Sequence, residues 1–296
     1  MNILIANVAN IRVNEIKALA ETLNKKHKVT ISSMSADSRH RGNAFTPYEV
    51  PVAVTPLFYK DIMKSVSWVS AKDVKNVQGY DGISVYEFDS RANPADAMSI
   101  MLCEIMAHKP PDIVICGLNN DVHMGQDIYC SSNIGMAMEA CFMGYKAIAV
   151  GVESKIGGHT EAELAPAAGF LEKNIEKFAK MKLPKHTFLT VNIPFVEKYK
   201  DFKGIKVKPM ERMTQPSRYV EKTDAYGQKY YWADVIERYD DDLANGYITI
   251  VPLNYDATDH DVIEKWGKLV TELKGVDQTA DEKSDDDDDD DDGGAE

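Results

Sequence analysis

The stretch MNILIANVANIRVNEIKALAETLNKKHKVTISSM, residues 1–34, decides the fold. Residues 2–8 form a continuous apolar run typical of a buried strand, and residues 13–23 place apolar side chains at helical spacing. Residues 28–34 form a second short strand. This order of strand, helix and strand predicts a βαβ unit. Its first turn contains no G-x-G-x-x-G motif, which argues against a dinucleotide-binding site.

The same alternation of strands and helices continues along the chain. It predicts helices over 94–108, 133–142 and 162–181, and strands over 112–118, 146–152 and 187–193. We therefore expect an α/β fold with a Rossmann-like, mostly parallel sheet and helices on both faces. From residue 204 onward, turn residues separate strands of period two, which predicts an antiparallel β-hairpin extension over 204–255. A helix over 259–273 follows it.

The negative charge of the chain is concentrated at its C-terminal end. The 296 residues carry a formal net charge of −13, and residues 277–296 hold twelve acidic residues against one lysine. Eight consecutive aspartates repel one another and cannot form a core, so we expect 276–296 to be a disordered acidic tail and 1–275 to be one domain. No basic face is found, which argues against nucleic-acid binding.

Hydropathy and cysteine usage predict a cytoplasmic protein. No stretch reaches the roughly 18 consecutive apolar residues that a membrane helix needs, and the first residues are too polar for a signal peptide. We therefore expect no membrane partner. The four cysteines form no C-x-x-C pair, which favours inert thiols in a reducing compartment.

Several short motifs follow one another along residues 1–270. They are MNILIAN, SADSRHRG, NPAD at 93–96, PPDIVICGLN ending at Asn119, GQDIYCSSNIGMAMEA at 125–140, TVNIP at 190–194 and NGYITIVPL at 245–253. In this order they resemble the SurE family of metal-dependent nucleoside monophosphate phosphatases, the 5′-nucleotidases. The resemblance implies a nucleoside monophosphate as ligand and one Mg²⁺ or Mn²⁺ ion held by hard oxygen ligands.

The positions that correspond to the family's metal ligands are mostly changed. In the family, two aspartates after the first strand, a serine and an asparagine hold the cation. Carried over, the aspartates become Val8 and Ala9, the serine becomes Arg41, and Asn119 alone is retained. The resemblance thus implies a divergent member with a degenerate metal site. We expect no cofactor and no catalytic residue at these four positions, with Mg²⁺ or Mn²⁺ bound only if the family activity is retained.

A further set of polar side chains is predicted to bind a phosphate or nucleotide. The set is Asn7, Asn10, Arg41, Asp96, Asn119, Ser131 and Ser132. Arg41 offers a planar cation suited to phosphate, or it belongs to a solvated basic loop. Ser131 and Ser132 open a helix whose free N–H groups bind anions, or they only cap it. Asp96 begins another helix, so it either lies in the site or satisfies that helix's amides.

Asp121 and His123 provide an alternative for the same region. With Asn119 they offer carboxylate, imidazole and amide ligands, which predicts a relocated metal site. The same residue types after a strand are also typical of a turn. His123 alone is a candidate for proton transfer.

The aromatic group Tyr230, Tyr231 and Trp232 is the candidate for assembly. Such a group either stacks on bases or anchors a protein interface. In the family the corresponding hairpin extends from the core and exchanges with a neighbouring subunit. The resemblance therefore implies a homodimer or homotetramer.

Three functional hypotheses remain from the sequence. The first is a SurE-like protein that has lost the metal-dependent phosphatase chemistry and keeps a phosphate-binding, nucleotide-binding or scaffolding role. The second is an active phosphohydrolase on nucleoside monophosphates, with a site rebuilt around Asn119, Asp121 and His123. The third is an oligomeric interaction protein with a vestigial crevice.

Overall fold

The computed structural model describes residues 1–47, 49–58, 83–125, 127–195, 201–211, 219–233, 240–260 and 262–263. The chain divides into two compact units, Met1–Tyr255 and Asp256–Glu296. In the second unit, Asp256 accepts a hydrogen bond from the backbone N–H of Thr258 and lies 2.9 Å from Nε2 of His260. Most of the predicted helix over 259–273 and the whole predicted acidic tail lie outside the described residues.

Strands and helices alternate through most of the first unit. The strands are β1 Asn2–Ala6, β2 Lys28–Met34, β3 Val54–Phe58, β4 Ser84–Phe88, β5 Ile113–Asn119, β6 Ala147–Val152, β7 Thr187–Ile193, β8 Gly204–Val207, β9 Tyr219–Thr223, β10 Lys229–Ala233 and β11 Tyr247–Asn254. The helices are α1 Asn14–Asn24, α2 Pro94–Ile100 with a π-helical continuation Met101–Ile105, α3 Asp127–Cys130, α4 Ser132–Phe142, α5 Glu161–Lys180 and α6 Asp241–Ala244.

A nine-stranded sheet runs through the first unit in the order β3-β4-β2-β1-β5-β6-β7-β11-β8. The six strands from β4 to β7 in this order are parallel to one another. Strand β3 is antiparallel to β4, and β11 is antiparallel to β7. This arrangement confirms the predicted α/β fold with a mostly parallel sheet. Helices follow the strands because two parallel strands can be joined only by a long crossover connection, which is usually an α-helix.

The predicted extension over 204–255 has two parts in the structure. Strands β8 and β11 pair with each other in parallel and join the edge of the main sheet through β7. Only β9 and β10 form a separate antiparallel hairpin, joined by a turn that contains Gly227 at a φ of +83°. The hairpin prediction is thus confirmed, whereas the strands on either side of it belong to the main sheet.

Alternate residues of β1 face two separate apolar cores. Ile3 and Ile5 belong to the core under α1 and α5, while Leu4 and Ala6 belong to the core under α2 and α4. A strand buried on both faces reads as a continuous apolar run, which is why the sequence revealed β1 so clearly. Among the described residues, no helix is both long enough and apolar enough to cross a membrane.

The topology places the ends of β1 and β5 next to each other. From β1 the chain continues to β2 and β4 on one side, whereas β5, β6 and β7 extend the sheet on the other side. Where the direction of winding reverses, the loops after the two central strands diverge and leave a crevice at their carboxyl ends. The fold therefore predicts a ligand site between residues 7–13 and residues 120–131.

Gly151 and Gly169 test the packing on which this crevice depends. A Cβ at Gly151 on β6 would lie 2.0 Å from the backbone oxygen of Asp121, whereas Gly169 within α5 has open space around it. We expect Gly151→Ala to lower the free energy of unfolding by about 3 kcal/mol through overpacking. Gly169→Ala should raise it by about 0.5–1 kcal/mol because alanine favours the helix. Urea denaturation of both variants measures the free energies of unfolding. Equal changes in the two variants would contradict the close approach of Gly151 to the backbone of Asp121.

Candidate functional site

A small cavity lies at the carboxyl ends of β1 and β5. Its volume is about 20 Å³, which is room for about one water-sized group. A ligand could therefore insert one or two of its oxygen atoms here and keep the rest of its structure outside. The cavity is lined by Val8, Arg39, His40, Asn119, Asp121, His123, Ser131, Ser132 and Asn133.

The turn after β1 is built from an amide and two aliphatic residues. Val8 is 1% exposed and packs in the core under α2 and α4. The Asn7 side chain accepts a hydrogen bond from the backbone N–H of Ala9 at 2.9 Å and donates one to the carbonyl of Leu118 at 3.0 Å. Asn7 thus ties the end of β1 to β5. Asn10 is not among the lining residues and donates to a backbone carbonyl and a carboxylate.

The turn after β5 is held by two further asparagines. Asn120 exchanges two hydrogen bonds with the backbone of Lys155, at 3.1 and 2.8 Å. Asn192, on β7, accepts from the N–H of His123 and donates to its carbonyl, both at 2.9 Å. These bonds hold the turn that carries Asp121 and His123, and both residues line the cavity together with Asn119. Sequence reasoning missed Asn192, although an asparagine inside an apolar strand was a signal.

Arg39 is the arginine that lines the cavity. It binds Asp37 through one guanidinium edge, with Nε to Oδ2 at 2.8 Å and Nη2 to Oδ2 at 2.6 Å. Hydrogen bonding to Asp37 raises the pKa of the Arg39 guanidinium above its ordinary value, and the charge of Asp121 adds to the effect. Arg39 therefore stays cationic. The negative charge of Asp121 balances the positive charge of Arg39. The described residues of the lining are therefore formally neutral when His40 and His123 are neutral.

Arg41 and Asp96 are used elsewhere in the structure. Nη1 of Arg41 donates to the carbonyl of Ala92 at 3.2 Å and to Oδ1 of Asn93 at 3.3 Å. Asp96 accepts from the backbone N–H groups of Thr46 at 2.9 Å and of Asn93 at 3.0 Å. It thereby completes a capping box at the start of α2. Neither side chain is among those that line the cavity.

Ser131 and Ser132 begin α4 and have different surroundings. The Ser132 hydroxyl is buried, donates to the carbonyl of Ser38 at 2.7 Å and accepts from the N–H of Arg41 at 2.9 Å. It holds the loop that carries Arg39 against the helix. The Ser131 hydroxyl is only partly buried, caps α4 and lies 3.2 Å from Nδ1 of His123.

Asn133 is a lining residue that sequence reasoning did not single out. Its side chain is 1% exposed, and neither Oδ1 nor Nδ2 has a hydrogen-bond partner among the described residues. A buried amide left unpaired costs about 1–3 kcal/mol. The amide lines the cavity at the first turn of α4, where backbone N–H groups also lack helical partners. A ligand oxygen in the cavity would satisfy it.

The lining residues do not fit a hard divalent cation. Val8 offers methyl groups, Asp121 is the only carboxylate among the described residues of the lining, and Arg39 adds a positive charge. Mg²⁺ and Mn²⁺ prefer several carboxylate or other oxygen ligands. Within the described ranges, no group of three or more His, Cys, Asp or Glu side chains has a geometry suited to a metal ion.

Comparison with known proteins gives a consistent result. The family model described as Survival protein SurE matches residues 3–217. The chain is similar to the 5′-nucleotidase SurE of Caldanaerobacter subterraneus subsp. tengcongensis, with 32% identity over 65% of this chain and 75% of that protein. It is also 29% identical to the 5′-nucleotidase SurE of Thermoanaerobacter pseudethanolicus, over 89% of this chain and 96% of that protein. The crystal structure of the SurE protein from Aquifex aeolicus covers 91% of this chain and all of its own, with a TM-score of 0.70 at 23% identity.

Asn133 and Asn192 provide a matched pair of buried amides. Asn192→Leu removes the amide that bonds the N–H and the carbonyl of His123, so it should lower the free energy of unfolding by about 2–4 kcal/mol. Asn133→Leu removes two unpartnered polar atoms and should raise it by about 1 kcal/mol. Thermal and urea denaturation measure both. If Asn133→Leu destabilises the protein as much as Asn192→Leu, the Asn133 amide has a structural partner.

Proposed function

Because the chain belongs to the SurE nucleotidase family, we propose that it binds a phosphorylated ligand, such as a nucleoside monophosphate, in this cavity without a divalent cation. A phosphoryl oxygen enters the cavity, and the nucleoside stays outside it. The cation-dependent hydrolysis of the family is impaired. The name 5′-nucleotidase belongs to the relatives, and for this chain it supplies the class of ligand.

The observation that carries the proposal is the buried Asn133 amide. It faces a cavity of about one water in size with both polar atoms unpaired, at the start of the eleven-residue helix α4. A folded protein keeps such an arrangement at a cost in stability, and the cost is offset when a ligand supplies the missing hydrogen bonds. Nearby helix N–H groups favour an anion in the same place.

Electrostatics supports binding without a cation. A site with two aspartates at the end of β1 repels phosphate until a dication binds. One carboxylate and one phosphate charge repel each other by about 4 kcal/mol at 4 Å and an effective dielectric constant near 20. Here Val8 and Ala9 carry no charge, and Arg39 is cationic. The phosphate therefore meets a wall that is neutral or weakly positive, with Asp121 as the opposing charge.

A second candidate function, hydrolysis at a rebuilt site, is favoured by the position of its three residues. Asn119, Asp121 and His123 all line the cavity that contains Asn133. The chemistry that such a site could perform depends on the groups within reach of His123. An interaction protein with a vestigial crevice would have no use for the unpaired Asn133 amide.

The aromatic hairpin is the proposed interface for self-assembly. Both of its strands are exposed along their described length, and Trp232 is 62% exposed. A two-stranded hairpin exposed on both faces is marginally stable alone, and exposed aromatic side chains are typical interface anchors. Tyr230 and Trp232 project from the same face of the hairpin. Val220 of β9 lies on this face too, because it is paired with Trp232. We therefore propose a homodimer or homotetramer in which this face is covered.

Isothermal titration calorimetry with adenosine monophosphate in EDTA tests the binding proposal. We expect binding, and we expect Asn133→Leu and Arg39→Gln each to weaken it about tenfold, the loss of roughly one hydrogen bond to a charged group. Adding Mn²⁺ should neither tighten binding nor stimulate release of inorganic phosphate.

Arg91→Gln is the matched control for Arg39→Gln. Arg91 pairs with Asp89 in the same Asp-x-Arg arrangement and is about half exposed, as Arg39 is, but it does not line the cavity. Its substitution should leave the affinity unchanged. Absence of binding in EDTA, or equal effects of both arginine substitutions, would overturn the binding proposal.

Static light scattering tests the proposed interface. The double substitution Tyr230→Ser and Trp232→Ser should reduce the molar mass in solution to that of the monomer, because it removes two large apolar side chains from one face. Ile156→Ser, at a fully exposed residue in a different loop, should leave the mass unchanged. A monomeric mass for the unmodified protein would contradict the proposed assembly.

A further inference from the structure

Ser131 and His123 form a pair with the geometry of a nucleophile and its base. Oγ of Ser131 lies 3.2 Å from Nδ1 of His123, and both residues line the cavity. In the tautomer that carries the ring proton on Nε2, the serine hydroxyl donates to Nδ1. A serine becomes a useful nucleophile when an adjacent imidazole can accept its proton in this way.

The backbone of His123 is held in place by the side chain of Asn192. Asn192 bonds both the N–H and the carbonyl of His123, and the residue is 4% exposed. A base fixed on a rigid support keeps its distance to the nucleophile, which proton transfer requires.

The serine is positioned at the start of a helix and faces the open cavity. Its Oγ accepts a hydrogen bond from the N–H of Ile134 at 3.3 Å, which leaves the hydroxyl proton for His123. The neighbouring Asn133 amide lines the same cavity without a partner and can donate to an oxygen on which negative charge develops. Nucleophile, base and a donor for an oxyanion thus surround one small space.

We propose that Ser131, activated by His123, is a covalent acceptor of a phosphoryl group, in a reaction that needs no divalent cation. This inference rests on the proposed binding of a phosphorylated ligand and gives that site a chemistry. It assigns Ser131 as the nucleophile, His123 as the base and Asn133 as the donor to a phosphoryl oxygen.

The reaction proceeds in two balanced steps. First, Oγ of Ser131 forms a bond to phosphorus, its proton moves to Nδ1 of His123, and the bond from phosphorus to the ester oxygen breaks. The leaving alkoxide takes the proton from His123. Second, water attacks phosphorus while His123 accepts its proton, the bond from Oγ to phosphorus breaks, and His123 returns the proton to Oγ. The products are an alcohol and inorganic phosphate.

Stopped-flow mixing with p-nitrophenyl phosphate in EDTA, followed by acid quench and peptide mass spectrometry, tests this proposal. We expect release of p-nitrophenolate with a phosphate group on Ser131. Ser131→Asn should abolish both signals, since asparagine keeps the helix cap and removes the hydroxyl. His123→Gln should slow phosphorylation on the order of a hundredfold. Ser99→Ala is the control, because that serine bonds Glu139 and does not line the cavity.

The outcomes separate this proposal from the binding proposal. Binding of adenosine monophosphate in calorimetry without phosphate on Ser131 overturns the nucleophile and leaves the binding proposal standing. If adenosine monophosphate does not bind and no phosphate is found on Ser131, both the binding proposal and the nucleophile proposal are overturned. Release of p-nitrophenolate that Ser131→Asn leaves unchanged, or phosphate on a different residue, also overturns the assignment.

Discussion

Three asparagine side chains, each bonded to two backbone groups, hold the carboxyl edge of the sheet together. Asn7 joins the end of β1 to β5, Asn120 joins the following turn to Lys155, and Asn192 joins the same turn to β7. The turns after parallel strands contain backbone groups that no ladder satisfies, and burial makes them costly unless side chains pair with them. The wall of the cavity depends on this pairing. Against this background the unpaired amide of Asn133 is an exception, and the proposed ligand would supply its missing hydrogen bonds.

The sequence predicted the central strands well and the edges of the sheet poorly. Apolar runs buried on both faces have a strong pattern, and the predicted 28–34 and 187–193 match β2 and β7. Strands β3 and β4 were missed because they are partly exposed, and Pro56 in β3 argues against a strand except at an edge. The pairing of β8 with β11 was missed because local pattern does not encode partners far apart in sequence.

At the site, sequence identified the residues that topology brings together but not the directions of their side chains. Asn119, Asp121, His123, Ser131 and Ser132 were all candidates and all line the cavity. The basic loop contains two arginines separated by one residue, and only tertiary contacts decide that one faces the cavity while the other bonds the start of α2. Asn133 was missed for a related reason. Whether a buried amide has a partner is a property of the folded neighbourhood, which composition and spacing do not contain.

The hydrogen bonds between Asn192 and His123 also determine at which stage of protein synthesis the site can form. Val8, which lines the cavity, is synthesised early. The turn that carries His123 is held by Asn192, which is synthesised 184 residues after Val8. At about 5–20 residues per second, a ribosome needs roughly 10–40 s to cover this distance. Until then the nascent chain has the polar groups of the site but not their arrangement. The arrangement of these side chains is thus a late product of synthesis, reached only when β7 joins strands that were completed long before.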